Sequence, residues 1–489
     1  MTDDTEEDGP ERGGSGVVTP FPAHRLPPAE HKRRSRPFAR SAPEALVLDI
    51  TRSVKRVRHR RQTGIDRVEM RHAEHARGLG RPLWLIASIS GRQCLLPPDA
   101  SGPFLDELAA INEADDPHAP LLPRADFAAR TQLWRDRKWR LAEAAVRRHA
   151  LNLDAGGWLG LPGREGDASM LRALTAALPK GAVYLNVGHD NLQRPLLEAL
   201  AQAGIARAVL LHDAIPLTHP EYTVPEAAQR FRRRFDAALT ADAIIANSNA
   251  TADSVEAVAV ASKRSSPPVT VAPLGINPPS PVADPPPEDG AAASGAEAAR
   301  FVMLGTIEGR KNHLLMLALW RGLSDVAPGQ QVPELHIIGR RGWAAEQVFQ
   351  MLDHAPMMGW SVFEHGELDD AEVAGVFAGA RALLFPSFVE GFGLPVGEAL
   401  AAGLPVIAAD LPALHEVGGE VPEWLSPLDG KGWLDAIRDY AQPRSSRRAA
   451  QLDRMADWRP PGWDAHFEAV EEALGLALDQ AAASFRPRI

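Results

Sequence analysis

One rhythm, run twice, constrains this chain more than any other feature. From residue 45 onward, short β-rich runs alternate with longer stretches of helical period: ALVLDI (45–50), PLWLIAS (82–88), VYLNVG (183–188), AVLLHD (208–213) and AIIANS (243–248). Strands that alternate with helices predict a parallel sheet covered on both faces. The rhythm stops at NPPSPVADPPPEDGAAASGAEAA (277–299), where Pro and then Ala and Gly supply linker chemistry. It restarts with FVMLG (301–305), ELHIIG (334–339), ALLFPS (382–387) and PVIAAD (405–410). At 489 residues the chain exceeds what one core comfortably supports. The expected fold is therefore α/β, with one Rossmann-like lobe over 43–277, a linker over 278–300 and a second lobe over 301–445. Ligands of open parallel sheets sit beyond the carboxyl ends of the strands, so facing lobes place a cleft between them. Residues 1–42 mix Pro, Gly, Ser and charge without apolar period and read as a disordered tail. Residues 446–489 contain GWDAHFEAVEEALGLALDQAAASF (462–485), which predicts one long terminal helix.

Composition excludes several classes. A 45% hydrophobic and 24% charged chain is ordinary for a soluble enzyme, and no apolar run approaches the roughly 20 residues that cross a bilayer. The start, MTDDTEEDGPERGGSG, lacks the basic head and apolar middle of a secretory signal, so a cytoplasmic protein is expected. Cys94 is the sole cysteine, which rules out an internal disulfide and leaves no zinc-ligand spacing; no metal and no cofactor are expected. The net charge of -10 argues against nucleic acid as a partner. Basic residues nonetheless concentrate at 32–61 and 130–148. In the second segment Leu133, Trp134, Trp139, Leu141 and Val146 form an apolar stripe among seven Lys/Arg and two acids. Such a helix suits the anionic inner face of a plasma membrane, and its rival reading packs the tryptophans on the first lobe.

The chemistry concentrates in FPSFVEGFGLPVGEALAAGLPVIAADLPALHEVGG (385–419). A buried strand leads into a loop with Glu390, Gly391, Phe392 and Gly393, then a helix that starts near Leu394 and Pro395 and carries Glu398. The glycines let backbone approach a ligand, and a helix start favours an anion. Two carboxylates, on loop and helix, are able to accept bonds from several sugar hydroxyls. In FVMLGTIEGRKNHLLMLAL (301–319) a strand ends at Gly305 and the following loop presents Arg310 and Lys311, fixed charges suited to a diphosphate leaving group. In the first lobe LLHDAIPLTHPEY (210–222) sets His212 and Asp213 at a strand end, and QTGIDRVEM (62–70) places Gly64, Asp66 and Arg67 at the start of a helix.

These strings resemble glycosyltransferase family four. The shared features are the Glu-x7-Glu signature with its EGFGLP core, the G-T-x-E-x-R-K-N loop, the H-D-x-x-P-x-x-x-P-E segment, and the NSNATADSV (247–255) turn. The resemblance implies a GT-B fold with a first, acceptor lobe, a second, donor-binding lobe and a last helix crossing back to the first. It also implies transfer with retention from a nucleotide diphosphate sugar to a glycan or lipid-linked acceptor. Glu390 would contact the donor sugar, Phe392, Gly393 and Leu394 would line sugar and phosphate, and Glu398 would hold the ribose. Arg310 and Lys311 would bind the diphosphate, His212 and its neighbour Asp213 would border the transferred sugar, and the Gly64 loop would border phosphate or acceptor. The first-choice donor is GDP-mannose, because the HDAIPLTHPEY segment resembles bacterial mannosyltransferases of surface-polysaccharide pathways; UDP-sugars are second. A nucleotide-sugar epimerase and a non-catalytic sugar-nucleotide-binding scaffold are the rival readings.

Overall fold

The computed structural model describes residues 41–58, 64–89, 92–113, 124–151, 167–277, 298–325, 331–366 and 368–484. Most of the expected tail and linker, 1–40 and 278–297, lies outside them. Among the described residues the first lobe is built on strands β1 (Ala45–Asp49), β2 (Leu83–Ile89), β3 (Arg92–Leu96), β4 (Ala182–Asn186), β5 (Ala206–Leu211), β6 (Ala243–Ala246) and β7 (Val269–Val271). Their spatial order is β3-β2-β1-β4-β5-β6-β7. The central strands are buried on both faces, as their unbroken apolar runs require: β1 and β4 pair in parallel with Leu48 opposite Leu185.

One strand departs from the expectation. Arg92–Leu96 returns antiparallel along β2, with Ala87 opposite Cys94. An antiparallel return needs only a tight connection, whereas a parallel one needs a crossover. The strand escapes a sequence reading because it is short and opens with two polar residues, of which Gln93 is fully buried.

The second lobe holds β8 (Arg300–Leu304), β9 (Glu334–Ile338), β10 (Val362–His365), β11 (Ala382–Phe385), β12 (Val406–Ala409) and β13 (Glu423–Leu425), ordered β10-β9-β8-β11-β12-β13 and all parallel. Helix Ser446–Met455 stays with this lobe, since Gln451 donates to the Val406 and Val421 carbonyls. The chain then crosses. Helix Trp463–Ser484 buries Ala469, Val470, Ala473, Leu474 and Ala477 in the first-lobe core beside Leu46, Leu185 and Ile245. Its small residues let the helix lie close on the strands. Gly275 makes room for the Trp463 ring, and the indole N–H donates to Asn277 Oδ1 at 2.9 Å. Among the described residues no helix is long and apolar enough to cross a membrane.

Each sheet reverses its winding once, between β1 and β4 and between β8 and β11. Crevices form at such reversals because the loops on either side leave in opposite directions. The loops after β8 and β11 carry the Arg310–Lys311 and Glu390 segments, which is why residues about 80 apart in sequence meet.

Candidate active site

After β8 the chain makes a short 3-10 turn, Gly309–Lys311, and Asn312 follows in the left-handed region with φ 55. Asn312 Nδ2 donates to the Pro386 carbonyl at 3.2 Å and the Pro427 carbonyl at 3.0 Å, and Phe388 N donates to the Arg310 carbonyl at 2.8 Å. The turn is thereby pinned to the loop that follows β11. Both Glu390 oxygens are engaged: Lys311 Nζ lies 2.6 Å from Oε1 and an Arg310 terminal nitrogen 2.7 Å from Oε2. The other Arg310 terminal nitrogen pairs with Glu308 at 2.8 Å. Lys311 also sits 4.3 Å above the Phe385 ring.

The cluster is buried, and burial alone would push the Glu390 carboxyl up. The Arg310 and Lys311 charges overcome it and hold the carboxyl at about 2. Burial pushes the Lys311 ammonium down, with Glu390 opposing it. The result is a compact set of two cations and two carboxylates, held rigid by charge-assisted bonds.

The first lobe closes over this cluster. A Cβ at Gly391 would run into the His212 carbonyl and crowd Asp213, so only glycine permits the approach. Asp213 Oδ1 accepts from Ile215 N at 3.0 Å; burial raises its pKa and the Arg310 charge opposes the rise. His212 is buried with Nε2 2.9 Å from the Val187 carbonyl. Tyr222 stacks on Phe388 across the lobes, ring centroids 5.5 Å apart. On another side Gly64 abuts Leu394, and Arg67 donates to Glu398 Oε1 at 2.7 Å. Asp66 is taken up by Arg52 at 2.5 Å and Arg56 at 3.0 Å. Phe392 is buried and packs with the first-lobe core, Leu394 is partly buried against it, and Gly393 turns with φ 102 into the helix Leu394–Ala401. Gly305, with φ 137, faces the Lys311 stem. Across the lobes His212 and Asp213 thus meet Gly391, Gly64 meets Leu394 and Arg67 meets Glu398, whereas Asp66 pairs within the first lobe and Gly305 and Gly393 contact the second.

Sequence reasoning missed a polar group at the first-sheet reversal. Asp49 accepts from Tyr184 OH, Asn191 Nδ2 and Thr51 N, each at 2.8–3.0 Å. Glu69 accepts from Ser53 N at 2.7 Å and Ser53 Oγ at 2.6 Å, and burial pushes its carboxyl up to about 8. His189, with φ 61, lies 5.1 Å from the His212 ring. A signal was available: His-Asp recurs after two neighbouring strands, as His189-Asp190 and His212-Asp213.

On helix Arg124–His149 the expected apolar stripe is divided between core and solvent. Trp139 packs on the first-lobe core with the Arg58 guanidinium 4.1 Å from its ring centroid, Trp134 lies under Lys138, and Val146 is buried; the Leu133 side chain lies outside the described residues. Trp139 and Val146 mark the inward face. Solvent meets Arg137, Arg140 and Leu141.

Two Rossmann-like lobes joined by a cleft at their strand ends, with a terminal helix crossing back, define the GT-B class. Residues 290–420 match the family model described as "Glycosyl transferases group 1". The "Serotype-specific mannosyltransferase WbdA" of Escherichia coli is 31% identical over 272 residues, 51% of this chain and 32% of that protein. The "O-antigen chain mannosyltransferase B" of Escherichia coli is 30% identical over 161 residues, 33% of this chain and 42% of that protein. The chain thus matches about a third to two-fifths of the length of these relatives. A solved structure titled "Trehalose-6-phosphate from E. coli bound with UDP-2-fluoro glucose" superposes with a TM-score of 0.50 at 11% identity, covering 91% of this chain and 99% of that one, a likeness of fold. The fold is GT-B, residues 290–420 carry the glycosyl transferases group 1 match, and over part of its length the chain resembles bacterial mannosyltransferases.

Proposed function

We propose that the chain is a retaining hexosyltransferase that moves mannose from GDP-mannose to a glycan or lipid-linked acceptor in polysaccharide synthesis. The observation that carries this reading is the Arg310–Lys311–Glu390 cluster at the second-sheet reversal, facing His212 and Asp213 of the first lobe. Buried Lys311 and half-buried Arg310, beside a helix start, suit a diphosphate whose charge grows as the glycosidic bond breaks. They supply the neutralisation that a divalent ion supplies in other transferases, so the reaction is proposed to need no metal. Glu390 and His212 offer acceptor atoms to sugar hydroxyls, and Glu398 is assigned to the ribose. Among the described residues Asp213 is the first-lobe carboxylate beside the cluster, and its Oδ1 is taken up by Ile215 N; we favour front-face departure, in which the leaving phosphate takes the acceptor proton.

The mannose assignment leans on relatives named as mannosyltransferases. UDP-sugars remain the second donor choice. Purified protein incubated with a panel of GDP- and UDP-sugars and a polysaccharide-derived acceptor tests the reading: GDP release from GDP-mannose and an axial-retained product by NMR support it, and no turnover with any donor sinks it. Work at the inner membrane face is proposed only through the basic surface at Arg137 and Arg140. Loss of liposome co-sedimentation on raising salt supports that contact, and sedimentation indifferent to lipid charge removes it.

A further inference from the structure

The NSNATADSV and HEVGG strings meet outside the reacting cluster. Helix Asn249–Ala261 begins after β6 with Ser248 as its cap, whose Oγ accepts from Thr251 N at 2.9 Å. Its own first turn contains no acidic residue. Such a helix start presents unpaired N–H groups and a positive dipole end. The second lobe supplies the missing carboxylate. Glu416, on helix Pro412–Gly418, accepts from Asn249 N at 2.7 Å and Asn249 Nδ2 at 2.9 Å through one oxygen, and from Ala250 N at 2.9 Å through the other. Next to it, Ser248 Oγ donates to the Gly391 carbonyl at 2.6 Å and Thr251 Oγ1 to the same carbonyl at 3.0 Å. Five hydrogen bonds thus tie one helix start to the opposite lobe, and two of them end on the residue adjacent to Glu390.

We propose that Glu416 is a positioning residue for transfer: seated on the amides of Asn249 and Ala250, it sets the equilibrium between open and closed lobes and thereby brings His212 against the Glu390 loop. The catalytic half of this statement rests on the glycosyltransferase reading; the conformational half does not. Glu416 is exposed, so its removal leaves no buried group stranded, and its effect is on closure rather than on folding.

The test places spin labels on the two lobes through Val260→Cys and Lys431→Cys, both strongly exposed, in the full chain with buried Cys94 retained. Pulsed dipolar spectroscopy then reads the inter-lobe distance, and kcat, KM and GDP affinity are measured on the unlabelled proteins. Glu416→Ala is expected to lower the closed-to-open ratio by about tenfold, the scale of a charge-assisted helix-end contact. Glu416→Gln, which keeps an acceptor oxygen and loses the charge, falls between. kcat drops in step with the closed fraction, while GDP affinity and melting temperature stay at the parental values. A Glu416→Ala distance distribution that superposes on the parent overturns the proposal. If the parent turns over no sugar nucleotide, the catalytic reading fails and the distance measurement still decides the closure.

Discussion

Glu69 is the group whose replacement probes the first lobe most sharply. Its Oε1 accepts two bonds from Ser53, at the start of the short helix Thr51–Arg56 that carries Arg52 and Arg56. Burial raises its carboxyl from 4.5 to about 8, the Ser53 bonds oppose the rise and the Asp49 carboxylate adds to it. The folded carboxyl therefore stays protonated while the unfolded one ionises. A raised carboxyl contributes its full stability below pH 4.5; that stability declines as pH rises from 4.5 and is lost once pH passes about 8. At 1.36 kcal/mol per pH decade the whole span is worth about 5 kcal/mol. Glu69→Gln keeps the Oε1 acceptor and places an amide N–H where the protonated acid holds its O–H, without titrating. Urea unfolding followed by hydrogen exchange of first-lobe amides, at pH 5 and pH 9, measures the difference. The variant should gain on the parent by about 4 kcal/mol between those values. Equal pH dependence in the two proteins would show that Glu69 is ionised in the fold and refute the reasoning.

Two further outcomes concern the cluster. Lys311→Ala leaves Glu390 buried with one cation, so transfer should fall by on the order of a hundredfold and stability by about 3 kcal/mol, read by donor turnover and thermal melting; parental turnover removes the diphosphate assignment. Gly391→Ala puts a methyl against the His212 carbonyl, so kcat should collapse while calorimetric GDP affinity holds, and unchanged kcat would mean that the approach seen at Gly391 is not needed for transfer.

What the sequence made legible was what lies close in sequence. The Glu390 and Arg310–Lys311 segments are contiguous strand-loop-helix strings, so residue types and spacing announce them before any fold is known. The first-lobe polar group is different, because Asp49 meets Tyr184 and Asn191 only once β1 has paired with β4. Strand order is decided by crossovers rather than by local pattern. Trp134 and Trp139 illustrate a related limit: period 3.6 defines a stripe, but the stripe's direction depends on whether a core lies beside it. Here Arg58 of the first lobe and the Asn112 carbonyl, which receives Lys138 Nζ at 2.8 Å, turn that face inward.

His212 closes the chemical argument. A carbonyl only accepts, so the 2.9 Å contact with Val187 assigns the proton to Nε2 and leaves Nδ1 as the ring's acceptor. Burial pushes its pKa well below 6.5, and the neighbouring His189, Arg52 and His466 act in the same direction against the backbone bond to Val187. The ring is therefore neutral throughout the physiological range, able to receive a sugar hydroxyl but unable to serve as an imidazolium acid. It follows that kcat/KM carries no inflection from this histidine between pH 6 and 8. His212→Gln should depress kcat/KM by roughly tenfold, the scale of one lost hydrogen bond in a buried site, and by the same factor at every pH. Profiles of both proteins on GDP-mannose, or on whichever donor the panel selects, decide the matter. A parental acid limb with its midpoint near 6.5 that vanishes in His212→Gln would mean that the imidazole titrates in catalysis, the proton entering at Nδ1 while Nε2–H still donates to Val187.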